Sequence, residues 1–338
     1  MNNLLDRYLL ALLLLVVLPS HDAIAQSPSN VAPPSQPLWA ENLSPMAQLV
    51  ALPSQRSAHI AQSWQWELHS AIASHWTIQS SGNTAVGFDG ESTRAIAAFE
   101  WGFAPRWSAR VSLPWINHGG GFLDGVINDW HRLFGMSDGG RQNFPQDQLA
   151  FLYSSDRNSQ SLAAKASGIG DVRTELNYQL TQSSTDAWSL SAGYKWATGD
   201  DDQWLGSGAG DVFATLRYSG RHRSELPLTW HAQLGFTRAG KSMLLGPHQR
   251  RNLWHAGFAV DWRIAQRWSL LAQIDSHEGV MQSDVAALDE PTIMLTLGAR
   301  YAITPWLSVE ASFIEDIRVE SAPDVTFQAS FRWTPTDD

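Results

Sequence analysis

The chain of 338 residues contains no cysteine. That excludes a disulfide scaffold, a thiolate-bound zinc or iron–sulfur centre, a cysteine nucleophile and a Cys-anchored lipoprotein. Charge is scarce too, at 17% of residues, and 33 Asp and Glu outnumber 23 Lys and Arg to give a formal charge of −10. Nucleic acid and anionic membrane surfaces call for a basic patch, so neither is an expected partner. After the first 25 residues no window holds eighteen consecutive apolar residues, which excludes a membrane-crossing helix. Tryptophan is the residue in excess: there are 17, in a chain whose mean hydropathy is −0.22.

The N-terminus has the form of a secretory signal. Met1 to Arg7 is a polar head with a cation, Tyr8 to Leu18 an apolar run, Pro19 its stop, and Ala23-Ile24-Ala25 a small-x-small cleavage site. The run is shorter than the roughly twenty residues of a spanning helix. Residues 1–25 are therefore assigned to a cleaved signal peptide. Residues 26–61, which open with four prolines among Ser, Asn and Gln, are expected to form a flexible periplasmic lead-in. The remainder, 62–338, is one domain.

Within that domain, segments of about ten residues alternate apolar with polar, the period of a strand with two unlike faces. Val172, Thr174, Leu176, Tyr178 and Leu180 interleave with Arg173, Glu175, Asn177 and Gln179, and Trp254, Ala256, Phe258, Val260 and Trp262 repeat the pattern. Twelve such segments are expected: 64–76, 93–103, 107–116, 171–180, 188–196, 211–219, 228–236, 253–264, 268–275, 292–301, 306–314 and 325–333. Their connections alternate between long loops (77–92, 117–170, 197–210, 237–252, 276–291, 315–324) and short turns (104–106, 181–187, 220–227, 265–267, 302–305). A soluble sandwich has no reason to sort loops by length, whereas an outer-membrane barrel does. Tryptophans gather at both strand ends: Trp64, Trp66, Trp101, Trp107, Trp188, Trp262, Trp268 and Trp333 toward the short turns, and Trp76, Trp115, Trp196 and Trp254 toward the long loops. Such aromatic girdles mark the two interfaces of a bilayer. The fold class expected is all-β, a transmembrane antiparallel up-and-down β-barrel of about 12 strands.

On the inward parity lie Glu67, Glu100, Arg110, Arg173, Glu175, Arg217, Asp261, Arg263, Arg300, Glu310 and Arg332. Facing lipid near the midplane each would cost about 2–4 kcal/mol, so a lumen is their place. They form a candidate constriction, or the salt-bridged filling of a polar interior. In the longest loop, Phe122, Leu123, Val126, Ile127, Trp130, Leu133 and Phe134 share one face of a short amphipathic helix, a candidate plug, rim cap or outer-leaflet helix.

The signal peptide, Gly119-Gly-Gly-Phe-Leu-Asp-Gly125, the helical segment to Phe134, Gly139-Gly-Arg141 and Gly168-Ile-Gly-Asp171 together resemble the proteobacterial barrel family catalogued as domain of unknown function 3187. The resemblance spans the mature chain and implies an outer-membrane barrel. It brings no catalytic or binding residues.

Chemistry is otherwise sparse. Gly168 to Asp171 and Gly208 to Asp211 lack the third glycine of a nucleotide fingerprint and read as strand openings at the outer rim. Asp200-Asp201-Asp202 lacks EF-hand spacing, and His69, His75, His231 and His255 show no metal spacing. No catalytic, cofactor or metal residue is assigned, and no enzyme activity or cofactor is expected. Three function classes stay open: a passive or gated conduit for small solutes, a non-transporting envelope barrel for assembly or surface contact, and a lipid or lipopolysaccharide hydrolase. The expected partners are outer-membrane lipid and lipopolysaccharide, with the barrel-assembly machinery during biogenesis.

Overall fold

A computed structural model of the chain describes residues 34–125, 145–183, 185–221, 227–317, 321–323 and 325–335. The strands in chain order are β1 (Trp64–Ser81), β2 (Thr84–Ala104), β3 (Trp107–Gly119), β4 (Ala150–Ser154), β5 (Ser159–Leu162), β6 (Ala166–Ile169), β7 (Arg173–Gln182) and β8 (Asp186–Lys195). They continue with β9 (Asp211–Arg221), β10 (Leu228–Arg238), β11 (Asn252–Arg263), β12 (Trp268–His277), β13 (Thr292–Ala302), β14 (Leu307–Asp316) and β15 (Val325–Trp333). Twelve of them, β1–β3 and β7–β15, pair antiparallel with their neighbours. β1 then closes the ring on β15, with Trp66 opposite Trp333 and Ser74 opposite Val325. Closure leaves no open edge, which is what a spanning sheet requires where no water can satisfy backbone groups.

The alternation read from sequence becomes a barrel of inverted polarity. Leu176 is 44% and Leu234 54% exposed on the outside, while inward Ser108 and Asn177 are fully buried. Such an apolar outer wall around a polar interior is stable in hydrocarbon and not in water. Outward aromatics pair at the short-turn end, Trp64 with Trp333 at 5.0 Å and Trp268 with Tyr301 at 4.8 Å. At the long-loop end Tyr194 meets Trp196 at 4.7 Å and Phe236 meets Trp254 at 5.0 Å. Both girdles are thus in place.

Three expectations need correction. Residues 77–92 are not a loop: β1 and β2 run on until Ser81 faces Thr84 across Gly82-Asn83, with Gly82 at φ +56° supplying the left-handed turn. Within 117–170, β4 and β5 form a hairpin that pairs with Ala85–Asp89 of β2, and β6 pairs with the end of β3. β3 therefore shares one edge between β7, over Trp107–Ser112, and β6, over Trp115–His118. Pro114 stands at the join, where its missing N–H breaks no ladder and its carbonyl accepts Gly170 N at 2.9 Å. The third correction is the largest. Residues 34–61 are no loose lead-in: Pro37 through Gln55 are buried inside the barrel except for half-buried Ser44.

The outward register gives a direct test. Leu176→Arg places a cation in the hydrocarbon belt and should weaken membrane insertion by about 2–4 kcal/mol, read as loss of the heat-modifiable band on gels. Assembly equal to that of the unmodified protein would refute the register.

Candidate functional site

Residues 34–61 form a strandless hairpin that enters the lumen at the short-turn end, turns near the long-loop end and returns to β1. Its inbound limb is held by Arg300, which donates to the carbonyl of Gln36, by Arg332 Nη2 to Pro37 O at 2.8 Å, and by Gln328 Nε2 to Trp39 O at 2.7 Å. The turn lies at 45–50 and includes a short 3-10 helix, Ala47–Leu49. The outbound limb is held by Thr237 Oγ1 to Ala51 O at 2.6 Å, Gln233 Nε2 to Pro53 O at 3.1 Å and Gln179 Nε2 to Ala58 O at 2.9 Å. Extended backbone in a buried site leaves its peptide groups without partners unless the wall supplies them, and here inward side chains do so. The wall is also cut to shape: a Cβ on Gly257 would lie 2.3 Å from Gln55 Nε2, and one on Gly298 3.0 Å from Leu38 Cδ1.

Around the short-turn half runs an unbroken chain of ion pairs. Asp261 meets Arg300 at 2.7 Å, Arg300 meets Glu310 at 2.7 Å, Glu310 meets Arg332 at 3.0 Å and Arg332 meets Glu67 at 3.1 Å. Glu67 continues to Arg110, Arg110 to Glu100 at 3.7 Å, Glu100 to Arg56, Arg56 to Glu175 at 3.4 Å and Glu175 to Arg217 at 3.2 Å. Five carboxylates thus alternate with five guanidiniums. Nine of the eleven residues singled out from the sequence lie in this belt. Arg173 lies above it, and Arg263 sits half-buried at the short-turn rim. The tenth member, Arg56, comes from the hairpin, and removing it would leave the wall one negative charge in excess.

A second set of charges, of which the sequence singled out Arg173 as a lumen charge, sits toward the long loops. Glu41 of the hairpin meets Arg173 Nη1 at 2.5 Å and Arg94 Nη1 at 3.1 Å. Lys195 Nζ meets Asp171 at 2.6 Å and Asp211 at 3.4 Å. The two Gly-x-Gly-Asp strand openings therefore converge on one lysine. Asp211 also accepts Ala51 N at 2.9 Å and Gly240 N at 2.9 Å, and Asp171 accepts Gly199 N at 3.0 Å, which ties the hairpin and two loops to the same ion pair.

Polarity changes along the lumen. At the long-loop end Met46, Leu49, Val50 and Leu52 pack beneath an apolar dome that includes Phe88, Phe151, Tyr153, Trp204, Leu245 and Met281. The dome is clipped outside by His248 Nε2 on Asp156 at 3.0 Å, a hydrogen bond that holds the Asp156 carboxyl below its ordinary range. At the short-turn end a cavity of about 520 Å³ opens between the limbs, lined by Ser35, His59, Gln65, Arg221, Thr229 and His231 among others.

Of the candidate plug helix, Phe122 is half-exposed and Leu123 buried, with Glu91 accepting both their backbone N–H groups. Val126, Ile127, Trp130, Leu133 and Phe134 lie outside the described residues. Inward histidines serve hydrogen bonding: His231 Nδ1 lies 2.7 Å from Ser219 Oγ and its Nε2 3.0 Å from Ser35 Oγ. Ser219 in turn accepts Ala58 N at 2.8 Å, so this Ser–His pair braces both limbs. Among the described residues no group of three or more His, Asp or Glu is arranged to hold a metal ion.

Lys195→Met would strand two buried carboxylates, a loss of about 3–5 kcal/mol. The expected outcome is a lower denaturation midpoint of the refolded barrel. An unchanged midpoint would show that Lys195 does not hold the outer loops to the hairpin.

Comparison with known proteins bears on the fold. An outer membrane channel of Pseudomonas putida F1 superposes with a TM-score of 0.53 at 11% identity, covering 84% of this chain and 97% of that one. The NanC porin gives 0.44 at 8% identity, with 81% and 100% covered, and the Ralstonia pickettii toluene transporter TbuX 0.41 at 12%, with 83% and 91% covered. No curated protein matches the sequence. The family model described as protein of unknown function (DUF3187) matches residues 13–334. A closed twelve-stranded barrel and a match over nearly the whole sequence agree, and the chain belongs to the DUF3187 family.

Proposed function

We propose that the protein is an outer-membrane conduit for small solutes that its own residues 34–61 close at rest. The observation that carries this reading is the way the hairpin is held. Among the described residues no strand pairing joins it to the wall. Its bonds to the wall run through side chains, as hydrogen bonds and ion pairs that water or a solute can replace without opening any ladder of the barrel. Withdrawal toward the 520 Å³ vestibule would empty the lumen up to the dome of the outer loops. A permanently structural filling has no need of a separable segment.

In this reading residues 1–25 are removed on export and the barrel-assembly machinery inserts the remainder. The short turns face the periplasm, so the hairpin gates from the inner side. The tryptophan girdles sit at the headgroups, and lipopolysaccharide surrounds the outer rim. The belt of ion pairs around Arg56 is then the constriction. A non-transporting envelope barrel is the second reading, favoured by the completeness of that belt.

The chain's lack of cysteine makes a clean test. Ser57 Oγ and Ser219 Oγ lie 3.2 Å apart, one on the hairpin and one on the wall. With Ser57→Cys and Ser219→Cys combined, oxidation should lock the hairpin and silence single-channel conductance in planar bilayers, and reduction should restore it. A barrel that conducts equally when locked does not use this gate. One that stays silent in both states favours the non-transporting reading.

A further inference from the structure

The hairpin carries only two charges, Glu41 and Arg56, and Glu41 sits at an unusual place in the wall. Arg94 and Arg173, both under 9% exposed, close on its carboxylate. Below it Trp39 stacks on His69, with centroids 5.2 Å apart and planes at 18°. Trp39 and Leu43 pack against Ala71, Ala73, Ile96 and Ala98. The wall therefore presents a pair of guanidiniums directly beside a small-residue apolar patch, and the hairpin fills both with a carboxylate and an aromatic ring.

The guanidiniums are not used up. Arg94 Nε and Arg173 Nε are buried without a hydrogen-bond partner, and a cavity of about 30 Å³ lies among Glu41, Arg94, Arg110 and Arg173. With the hairpin gone, Arg94 and Arg173 in that lining lose Glu41, while Arg110 keeps Glu67 and Glu100. Of the wall carboxylates there, Asp171 is engaged by Lys195, and Glu175 by Arg217. Two buried arginines that lose their carboxylate favour an anion over a neutral solute in the space the hairpin leaves. The planar guanidinium fork suits a carboxylate. The neighbouring apolar patch suits a hydrocarbon body, and the dome above it continues the apolar path.

We infer that Arg94 and Arg173 form a binding site for the carboxylate of a small amphipathic acid, aromatic or aliphatic, whose body lies on Ala71, Ala73, Ile96 and Ala98, and that Glu41 and Trp39 occupy this site as its resident mimic. The inference rests on the conduit reading and names its solute class. Arriving acid and Glu41 compete for the same two arginines, so the solute itself helps to release the gate.

The test uses the full-length refolded protein with Trp39→Ala and Glu41→Ala combined, which removes the resident ring and carboxylate and keeps the wall. Benzoate should bind it about tenfold or more tightly than benzyl alcohol, the weight of charge-assisted hydrogen bonds, with benzylamine weaker still. The preference should vanish when Arg173→Gln is added. In parallel, the otherwise unmodified chain with Ala47→Cys reports the hairpin tip by maleimide labelling, and benzoate should speed labelling where benzyl alcohol does not. This second arm holds if the Trp39→Ala, Glu41→Ala variant fails to refold. Equal binding of benzoate and benzyl alcohol, or labelling that ignores benzoate, overturns the site. If oxidation of the Ser57→Cys, Ser219→Cys barrel still silences conductance and reduction restores it in that case, the conduit stands and only its solute class is lost.

Discussion

Peptide groups buried without secondary structure have to find partners, and that constraint organises this barrel. A strand or helix satisfies its own backbone or its neighbour's, whereas residues 34–61, apart from the turn around Ala47–Leu49, do neither. The wall therefore points Gln179, Gln233, Gln328, Thr237, Arg300 and Arg332 inward at carbonyls of the hairpin, from strands spread around the ring. The polar face of each strand is thus more than the complement of a lipid-facing one. It is a template for one particular extended chain, notched at Gly257 and Gly298 where side chains of that chain need room.

Electrostatics follow the same reciprocity. The hairpin's single cation completes an alternating belt near the short turns, and its single anion neutralises two arginines nearer the long loops. Buried ion pairs contribute little net stability compared with apolar packing, but losing one partner is heavily penalised. The seated state is thereby favoured over a half-withdrawn one, and the two charges act at different depths. Apolar contact concentrates at the tip, under Phe88, Phe151 and Trp204, where it also seals the dome formed by the outer loops.

The barrel was legible in the sequence because both its faces obey period two. The alternation around Leu176, the tryptophans at strand ends and the sorting of most loops each report local geometry. Residues 77–92 escaped because Gly87, Asp89 and Gly90 dilute the pattern where β2 leaves the hydrocarbon belt and both faces meet polar surroundings. The inward charges were legible as a set, but their pairing was not, since it depends on register between strands far apart in sequence. The hairpin escaped for a deeper reason. Its backbone bonds to side chains of the wall, so neither period two nor period 3.6 is imposed on it. The remaining signal was composition: Leu38, Trp39, Leu43, Met46, Leu49, Val50 and Leu52 are more apolar than a solvated tether needs.

Both limbs of the hairpin pass the same rim. Ser35 lies by Asp261 and His231 near the short turns, and Ser63, whose carbonyl accepts Gly102 N, leads into β1 at that rim. A segment with its feet together enters a pore as a folded bight, as a loop of rope is pushed through a ring, and no free end has to be threaded. The pairing of β1 with β15 can therefore be complete before the bight goes in, and it can come out and return with every covalent and ladder connection of the ring intact. Topologically the occupied and empty barrels are the same object, and that is the condition for a filling that serves as a moving part.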